Sequence, residues 1–492
     1  MKSSRKKWVA TVCLIAIIAH DAAAFCGFYV SKADGTLKNK TSQIIVVHDG
    51  DRSVITMYND FKGNIKDFAM VVPVPAVLKK SDIKVVDQQI FTLLNEYSQP
   101  RLVEYFDQDP CEYAGVMQKL ESKVAGVSAA VSDEKAKRKS DNVKIEAKYI
   151  VGEYDILILS AKESSGLQTW LTENGYKIPA GAEEVLEPYI KSNLKFFVVK
   201  VNENELKKLG GNFLRPIQIS FRSNKFMLPI RLGMANSEGD QDMIVYGFSK
   251  KGRIECTNYR TVSLPTGKNI PLFVQNNFQN FYSNLFEHQW EREGKSVAML
   301  EYAWDVSPAN YLKCDPCVAT VPAEKDLLQA GVWWMKPDWN DYSDVDKPLE
   351  DEYSSKVFFT RLHIRYNRRE FPQDLVFQET PNRENFQARY IVTHPATGGF
   401  NCEAGKRYLK NLQERRRDEL QMLTTLTGKT YADWDVLART SEEKIVPVEE
   451  SYAAAHAANL KMQNGDRSLL IATIGLASLI SLAGVQQIKR RR

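Results

Sequence analysis

The sequence predicts an α+β protein: a strand-rich ectodomain with a helical C-terminal part, set between a cleaved signal peptide and one C-terminal transmembrane helix. Three observations carry this. Short apolar or alternating runs punctuated by turn residues fill the chain to about residue 400, after which apolar residues recur at helical spacing. Both ends carry an uncharged apolar segment next to basic residues. Six of the seven cysteines lie between those ends, an even number that suits disulfide pairing in an exported chain. The 492 residues, 43% hydrophobic and 26% charged, supply enough apolar surface for real cores and exclude wholesale disorder.

In chain order, Lys2, Arg5, Lys6 and Lys7 precede the apolar run Trp8 to Ala19, and Ala22-Ala23-Ala24 offers a cleavage site. Residues 1–24 therefore read as a signal peptide. A β-rich domain is expected over 25–120. Within it Gln43-Ile-Ile-Val-Val47 and Ser53-Val-Ile-Thr-Met-Tyr58 form a hairpin around an Asp-Gly turn, and Phe68 to Val72 forms a strand halted by Pro73 and Pro75. Residues 121–148, with Lys135, Lys137, Arg138 and Lys139 among acids, read as a charged linker or long loop. An α+β domain is expected over 149–275, with strands at Tyr154 to Leu159 and Leu194 to Val201. It also holds a helix from Leu167 to Tyr176 and a strand pair around Lys250-Lys251-Gly252.

A second α+β domain is expected over 276–440. In it Phe358, Thr360, Leu362, Ile364 and Tyr366 alternate with Phe359, Arg361, His363 and Arg365, the pattern of a half-buried strand. Ala404 to Leu426 then carries Leu409, Leu412, Leu420 and Leu423 at helical spacing, with Arg415, Arg416 and Arg417 on a solvated face. Residues 441–467 read as a juxtamembrane stalk. Ser468 to Ile488 is an uncharged 21-residue stretch, about 31 Å long as a helix, which matches a bilayer core. Residues 489–492, Lys489-Arg490-Arg491-Arg492, form a basic tail that the positive-inside rule places in the cytoplasm. The expected topology is a single pass in the cell membrane, its ectodomain extracytoplasmic and its partner the lipid bilayer at 468–488.

This topology explains the charge. Of the formal +5, residues 1–24 contribute +3 and the tail +4, leaving −2 for residues 25–488. A nearly neutral ectodomain has no electrostatic footprint for nucleic acid.

Candidate chemistry is sparse. The sequence has no H-E-x-x-H, no G-x-S-x-G and no phosphate-binding P-loop, and no cofactor is implied. Glu301 and Asp305 are one conceivable acid/base pair. Cys314-Asp315-Pro316-Cys317 is a possible redox pair, with a helix-like stretch at Glu324 to Gln329. The disulfide candidates are Cys26, Cys111, Cys256, Cys314, Cys317 and Cys402, for which 15 pairings exist. Asp338, Asp341, Asp344 and Asp346 begin an acidic stretch whose density suits calcium, although its order does not fit an EF-hand. Trp333, Trp334 and Trp339 offer a platform for a sugar or peptide.

Several segments together resemble an uncharacterised bacterial exported family, domain of unknown function 2330. They are Phe25-Cys-Gly-Phe-Tyr-Val30, Asp67-Phe-Ala-Met-Val-Val-Pro-Val-Pro75, Pro100-Arg-Leu-Val-Glu-Tyr105, Asp109-Pro-Cys111, Trp170-Leu-Thr-Glu-Asn-Gly-Tyr176 and Leu228-Pro-Ile-Arg-Leu-Gly233. Tyr302-Ala-Trp-Asp305, Cys314-Asp-Pro-Cys317, Arg361-Leu-His-Ile-Arg-Tyr366 and Phe371 to Thr380 complete the set. The resemblance implies a bacterial envelope protein and assigns no activity to any residue. The expected function is a non-enzymatic binding or scaffolding component of the bacterial cell envelope, with an envelope protein or glycan as ligand. The rival is a thiol–disulfide oxidoreductase using Cys314 and Cys317, and a third reading is a calcium-dependent adhesion module using residues 338–352.

Overall fold

Runs of Val, Ile and Phe buried along nearly their whole length form the middle of the first of two structural units, because both faces of their sheets are covered. In the computed structural model the described residues are 28–29, 41–58, 69–111, 144–174, 182–210, 214–236, 239–308, 319–335, 356–430 and 434. The first unit comprises Met1–Val103, Leu120–Lys268 and Tyr282–Tyr390; the second comprises Glu104–Lys119, Asn269–Phe281 and Ile391–Arg492.

The first unit contains a five-stranded sheet ordered β1 (Phe28–Tyr29), β4 (Ala69–Val74), β9 (Lys195–Val201), β8 (Tyr154–Ser160) and β7 (Lys144–Val151). Its larger sheet is ordered β14 (Arg260–Ser263), β16 (Val297–Asp305), β17 (Phe358–Tyr366), β12 (Gln241–Ser249), β2 (Thr41–Asp49), β3 (Arg52–Tyr58), β10 (Ile217–Arg222) and β5 (Ile83–Val85). The short β19 (Phe386–Gln387) adds to β16. A separate three-stranded sheet runs β11 (Met227–Leu228), β18 (Leu375–Glu379), β13 (Ile254–Cys256). The last sheet is ordered β15 (Lys268–Asn269), β20 (Arg389–His394), β6 (Arg101–Phe106).

Period two sorts the side chains into layers. Ile44 and Val46 of β2 meet Met70 and Val72 of β4, Ile156 and Ile158 of β8, and Val199 of β9 in a core between the two large sheets. The alternate residues Ile45 and Val47 turn the other way. They pack with Ile90, Phe91, Leu94 and Tyr97 of α1 (Gln89–Ser98) and Leu327 of α6 (Glu324–Ala330). On the far side of the smaller sheet, Val71, Leu159, Phe196 and Val198 meet Leu167 and Leu171 of α2 (Ser164–Glu173) and Leu186 and Tyr189 of α3 (Ala182–Lys191). The first unit is thus four layers, helix–sheet–sheet–helix. Each fully buried side chain of this kind contributes about 1.5–3 kcal/mol, spread over three contiguous cores.

The expected elements appear with instructive shifts. The β2–β3 hairpin turns on Gly50-Asp51 rather than Asp49-Gly50, because Asp49 pairs with Arg52 and Gly50 takes φ 62° at the first loop position, the glycine-first pattern of a type II′ turn. Strand β4 is not halted by Pro73. It runs on to Val74, and β1 pairs only with Met70 and Val71, so no described strand needs the missing N–H on that side. The strands around Lys250-Lys251-Gly252 do not form a hairpin: β12 already has β2 on one edge and β17 on the other, so β13 pairs with β18 instead. Part of the expected linker, from Lys144, is the edge strand β7.

In the second unit the described residues include the C-terminal helix. A short helix α4 (Glu203–Lys208) in the first unit and α5 (Phe278–Arg292) precede it, so this helix is α7 (Glu403–Thr427), closed by Gly428 at φ 65°. Leu412, Leu423 and Leu426 are its buried apolar residues. Arg415 departs from the solvated face expected for the arginine run: its Nη2 lies 2.7 Å from Asp107 Oδ2, and Tyr408 Oη donates to the same oxygen at 2.7 Å. Among the described residues no helix is long and apolar enough to cross a membrane. The signal segment 1–24, the stalk and the span 468–488 lie outside the described residues.

Candidate functional site

Strands β12, β16 and β17 lie side by side and place charged residues on the helix-covered face of the larger sheet. Asp242 and Arg365 are direct cross-strand partners, joined by two bonds: Nε to Oδ1 at 2.9 Å and Nη2 to Oδ2 at 3.0 Å. Two residues back along β17 the ring of His363 presents Nε2 to Asp242 Oδ1 at 3.2 Å and Nδ1 to Glu301 Oε1 at 2.8 Å. Glu301 Oε2 then accepts from Nε of Arg361, two residues further back on β17. The chain of charges reads Arg365–Asp242–His363–Glu301–Arg361.

A β-bulge makes this possible. Leu300 pairs with Leu362 and Tyr302 with Arg361, so Glu301 is the extra residue on β16. A bulge re-aims the side chain it carries, and here it allows one carboxylate to reach both Arg361 and His363. The Glu301 carbonyl accepts the N–H of Ala388 at 2.8 Å, so the displaced backbone is satisfied.

Helices complete the surroundings. Tyr282 of α5 donates its hydroxyl to Glu301 Oε1. Phe286, one turn on, stacks on the His363 ring with centroids 3.9 Å apart. Arg361 Nη1 donates to Asn95 Oδ1 at 2.9 Å and Ser98 Oγ at 3.3 Å, both on α1. The strand expected to be half-buried is buried on both faces as far as Leu362, with the Arg361 side chain only 5% exposed, because its bases are neutralised where they stand; His363 and Arg365 are part-buried.

The electrostatics follow from this geometry. Burial alone would raise the Glu301 carboxyl, but Arg361 and His363 outweigh it and hold it at about 2. Burial likewise opposes charge on Asp242, and His363 and Arg365 keep that carboxyl well below the usual range. Burial works against protonated His363, yet Glu301 and Asp242 raise its value above the ordinary 6.5. With a carboxylate at each nitrogen, both ring nitrogens face acceptors, an arrangement that favours the imidazolium. The Tyr282 phenol is pushed well above 10, chiefly by burial and the charge of Glu301.

The sequence nominated Glu301 with Asp305 as an acid/base pair. The two are bound to different arginines: Asp305 accepts from Arg383 and from the backbone N–H of Ser307 at 2.9 Å. Of the aromatic platform, Trp333 and Trp334 meet edge to face at 4.9 Å. Arg52 lies over the first ring at 4.5 Å and Lys250 over the second at 5.2 Å, so these cations occupy ring faces a ligand would need. Cys111 and Cys402 are bonded, their Cα atoms 6.0 Å apart. Cys256 is a buried thiol, pushed up to about 12 by burial. Cys26, Cys314, Cys317, Asp338, Asp341, Asp344, Asp346 and Trp339 lie outside the described residues. Among the described residues no group of three or more His, Cys, Asp or Glu side chains could hold a metal ion.

Sequence reasoning missed Asp242 and the link between Glu301 and His363. The available signal was three basic residues at period two in one strand, Arg361, His363 and Arg365. Their acids lie about sixty and one hundred and twenty residues away, a separation that only strand order closes. An apolar cleft lined by Met57, Val72, Pro73, Phe221, Met227 and Leu228 shares no residue with the charge chain.

A family model described as "Uncharacterized protein conserved in bacteria (DUF2330)" matches residues 20–378. No curated protein and no solved structure matches the chain.

Proposed function

On the premise that this chain belongs to DUF2330, an uncharacterised bacterial family, we propose that it is a membrane-anchored extracytoplasmic protein acting as a binding or scaffolding component of the cell envelope, without catalytic chemistry of its own. The observation that carries the non-catalytic part is the closed charge chain. His363 lies between two carboxylates, and both its nitrogens are already committed to them. A ring whose two nitrogens are both held by carboxylates, and whose proton they hold more tightly, is poorly placed to accept a proton from a substrate. The extracytoplasmic part is supported by residues 1–24, by the span 468–488 with its basic tail, and by the Cys111–Cys402 bridge, a bond that persists in oxidising compartments.

Two measurements test the reading. Expressed in a bacterial host, the full chain should start at Phe25 by intact mass and stay with membranes after alkaline carbonate washing. A soluble chain retaining Met1 would reject the anchored topology. Nitrogen-15 NMR of the His363 ring should show both nitrogens still protonated above pH 6.5. A ring that turns neutral at or below that pH would restore it as a base and reject the non-catalytic assignment.

A further inference from the structure

The sequence offered Cys314 and Cys317 for redox chemistry; the described part of the second unit holds a disulfide between different cysteines, whose two sulfurs have unlike surroundings. Cys402 is the N-cap of the 25-residue helix α7, and its Sγ accepts the backbone N–H of Gly405 at 3.2 Å in a part-buried contact. Gly405 has no room for a side chain, since a Cβ there would lie 2.7 Å from Phe400 Cα. Negative charge on Cys402 would therefore meet an N–H donor and the positive end of the helix dipole.

Cys111 is placed the opposite way. Its Sγ faces a carbonyl oxygen, that of Gly399, at 3.6 Å in a solvent-exposed contact. Its backbone N–H is held by the Asp109 carboxylate at 2.8 Å, which keeps a negative charge two residues away. Among the described residues close in sequence to the two cysteines, Glu403 and Lys406 on α7 pair with each other at 2.7 Å, and Asp107 is committed to Arg415. One sulfur of the bridge is thus stabilised as a leaving thiolate. The other belongs to a part-buried residue and faces a carbonyl dipole in an exposed contact, beside the Asp109 carboxylate.

We propose that the Cys111–Cys402 bridge is an exchangeable disulfide through which an extracytoplasmic thiol reductant acts on this protein, entering at Cys111 and expelling Cys402. In the first step a thiolate R–S⁻ attacks Cys111 Sγ. The R–S–Cys111 bond forms, the Cys111–Cys402 bond breaks, and its electron pair leaves on Cys402. A second thiolate, the other sulfur of a dithiol, attacks the R sulfur of the mixed disulfide and releases Cys111 as a thiolate that takes a proton from water. The dithiol is oxidised to its disulfide and the bridge is reduced by two electrons. Helix α7 is then joined to the segment after β6 through the Asp107 contacts with Arg415 and Tyr408. The direction of exchange rests on the polarity of the bridge alone; that the reductant is extracytoplasmic rests on the topology proposed above.

The test uses the full chain in detergent, folded and oxidised, treated with millimolar glutathione at pH 7, acid-quenched and mapped by peptide mass. The expected result is glutathione on Cys111 over Cys402 by about tenfold or more, with loss of the adduct on adding dithiothreitol. After full reduction, iodoacetamide should alkylate Cys402 with an apparent pKa below ~8.5 and Cys111 with a higher one. The Cys111→Ser variant should keep the low value at Cys402. If that variant fails to fold, the wild-type map decides alone. Adducts on Cys402, an even split, or a bridge that exchanges only after urea denaturation would each overturn the proposal.

Discussion

In the first unit a buried carboxylate, Glu301, and a half-buried one, Asp242, share three cations, Arg361, His363 and Arg365. In the second unit one cation, Arg415, serves both Asp107 and Glu419. The residue types are alike and the outcomes opposite. Burial is outweighed at Glu301 and its carboxyl stays near 2. At Glu419 burial outweighs Arg415 and Arg416 and pushes the carboxyl up to about 7. Geometry explains the second case: Arg415 gives Nη1 and Nη2 to Asp107, while its Nε, 3.5 Å from Glu419, makes no hydrogen bond. A buried acid needs donors aimed at it as well as a cation nearby.

The two clusters therefore respond differently to pH. Glu301 ionises lower in the folded chain than its ordinary 4.5, so its contribution is complete above that value and is lost as pH falls through about 2. His363 is raised, so its contribution is complete below about 6.5 and is lost as pH rises through the folded value. Both are in force between those limits. Glu419 has the opposite sign for an acid. Between about 4.5 and 7 the folded chain holds a proton that the unfolded chain has released, and stability falls as pH rises.

The largest expected effect comes from breaking the balanced cluster. Glu301→Gln leaves Arg361 and protonated His363 buried against a neutral amide and should cost about 3–5 kcal/mol in urea unfolding; a cost below about 1 kcal/mol would show that the cluster is solvated. Next, Glu419→Gln copies the protonated acid. It should stabilise the chain by up to about 3 kcal/mol at pH 8 and leave it unchanged at pH 4. Equal pH profiles for wild type and variant would remove Glu419 as the titrating group. Asp107→Asn should cost about 1–2 kcal/mol and free Arg415 for Glu419, moving the neutral-pH transition to lower pH in the same titration. If that transition stays in place, the two acids do not compete for one arginine. The smallest effect belongs to the exposed pair Arg222–Asp51, where Arg222→Ala should change the unfolding midpoint by less than about 0.5 kcal/mol. A larger loss would mean that burial is not what separates strong pairs from weak ones here.

Individual elements were legible in the sequence wherever period and punctuation agree. Lys195–Val201, Tyr154–Ser160 and the helix Glu403–Thr427 fall within a residue or two of their apolar patterns. The half-buried reading of Phe358–Tyr366 holds only at its C-terminal end, where His363 and Arg365 are part-buried, because a polar alternate face signals solvent only when nothing neutralises it. Arg361 and His363 are neutralised by a residue on a different strand. The two strands expected around Lys250-Lys251-Gly252 are present, but they pair with other strands for a related reason: β12 has two edges, and both are taken by strands far away in sequence.

What the sequence determined by itself is local: the α+β content, the strand-rich body with its C-terminal helix, the near-neutral charge between the basic ends, and the membership in a bacterial family. Tertiary structure decided which face of each strand is wet, that Glu301 sits on a bulge, and that Cys111 pairs with Cys402 across 291 residues. The physical reason is one of range. Side-chain period and turn chemistry act over a few residues, whereas the order of strands in a sheet is set by which apolar faces can be covered at once, and that order chooses the partner of every buried charge.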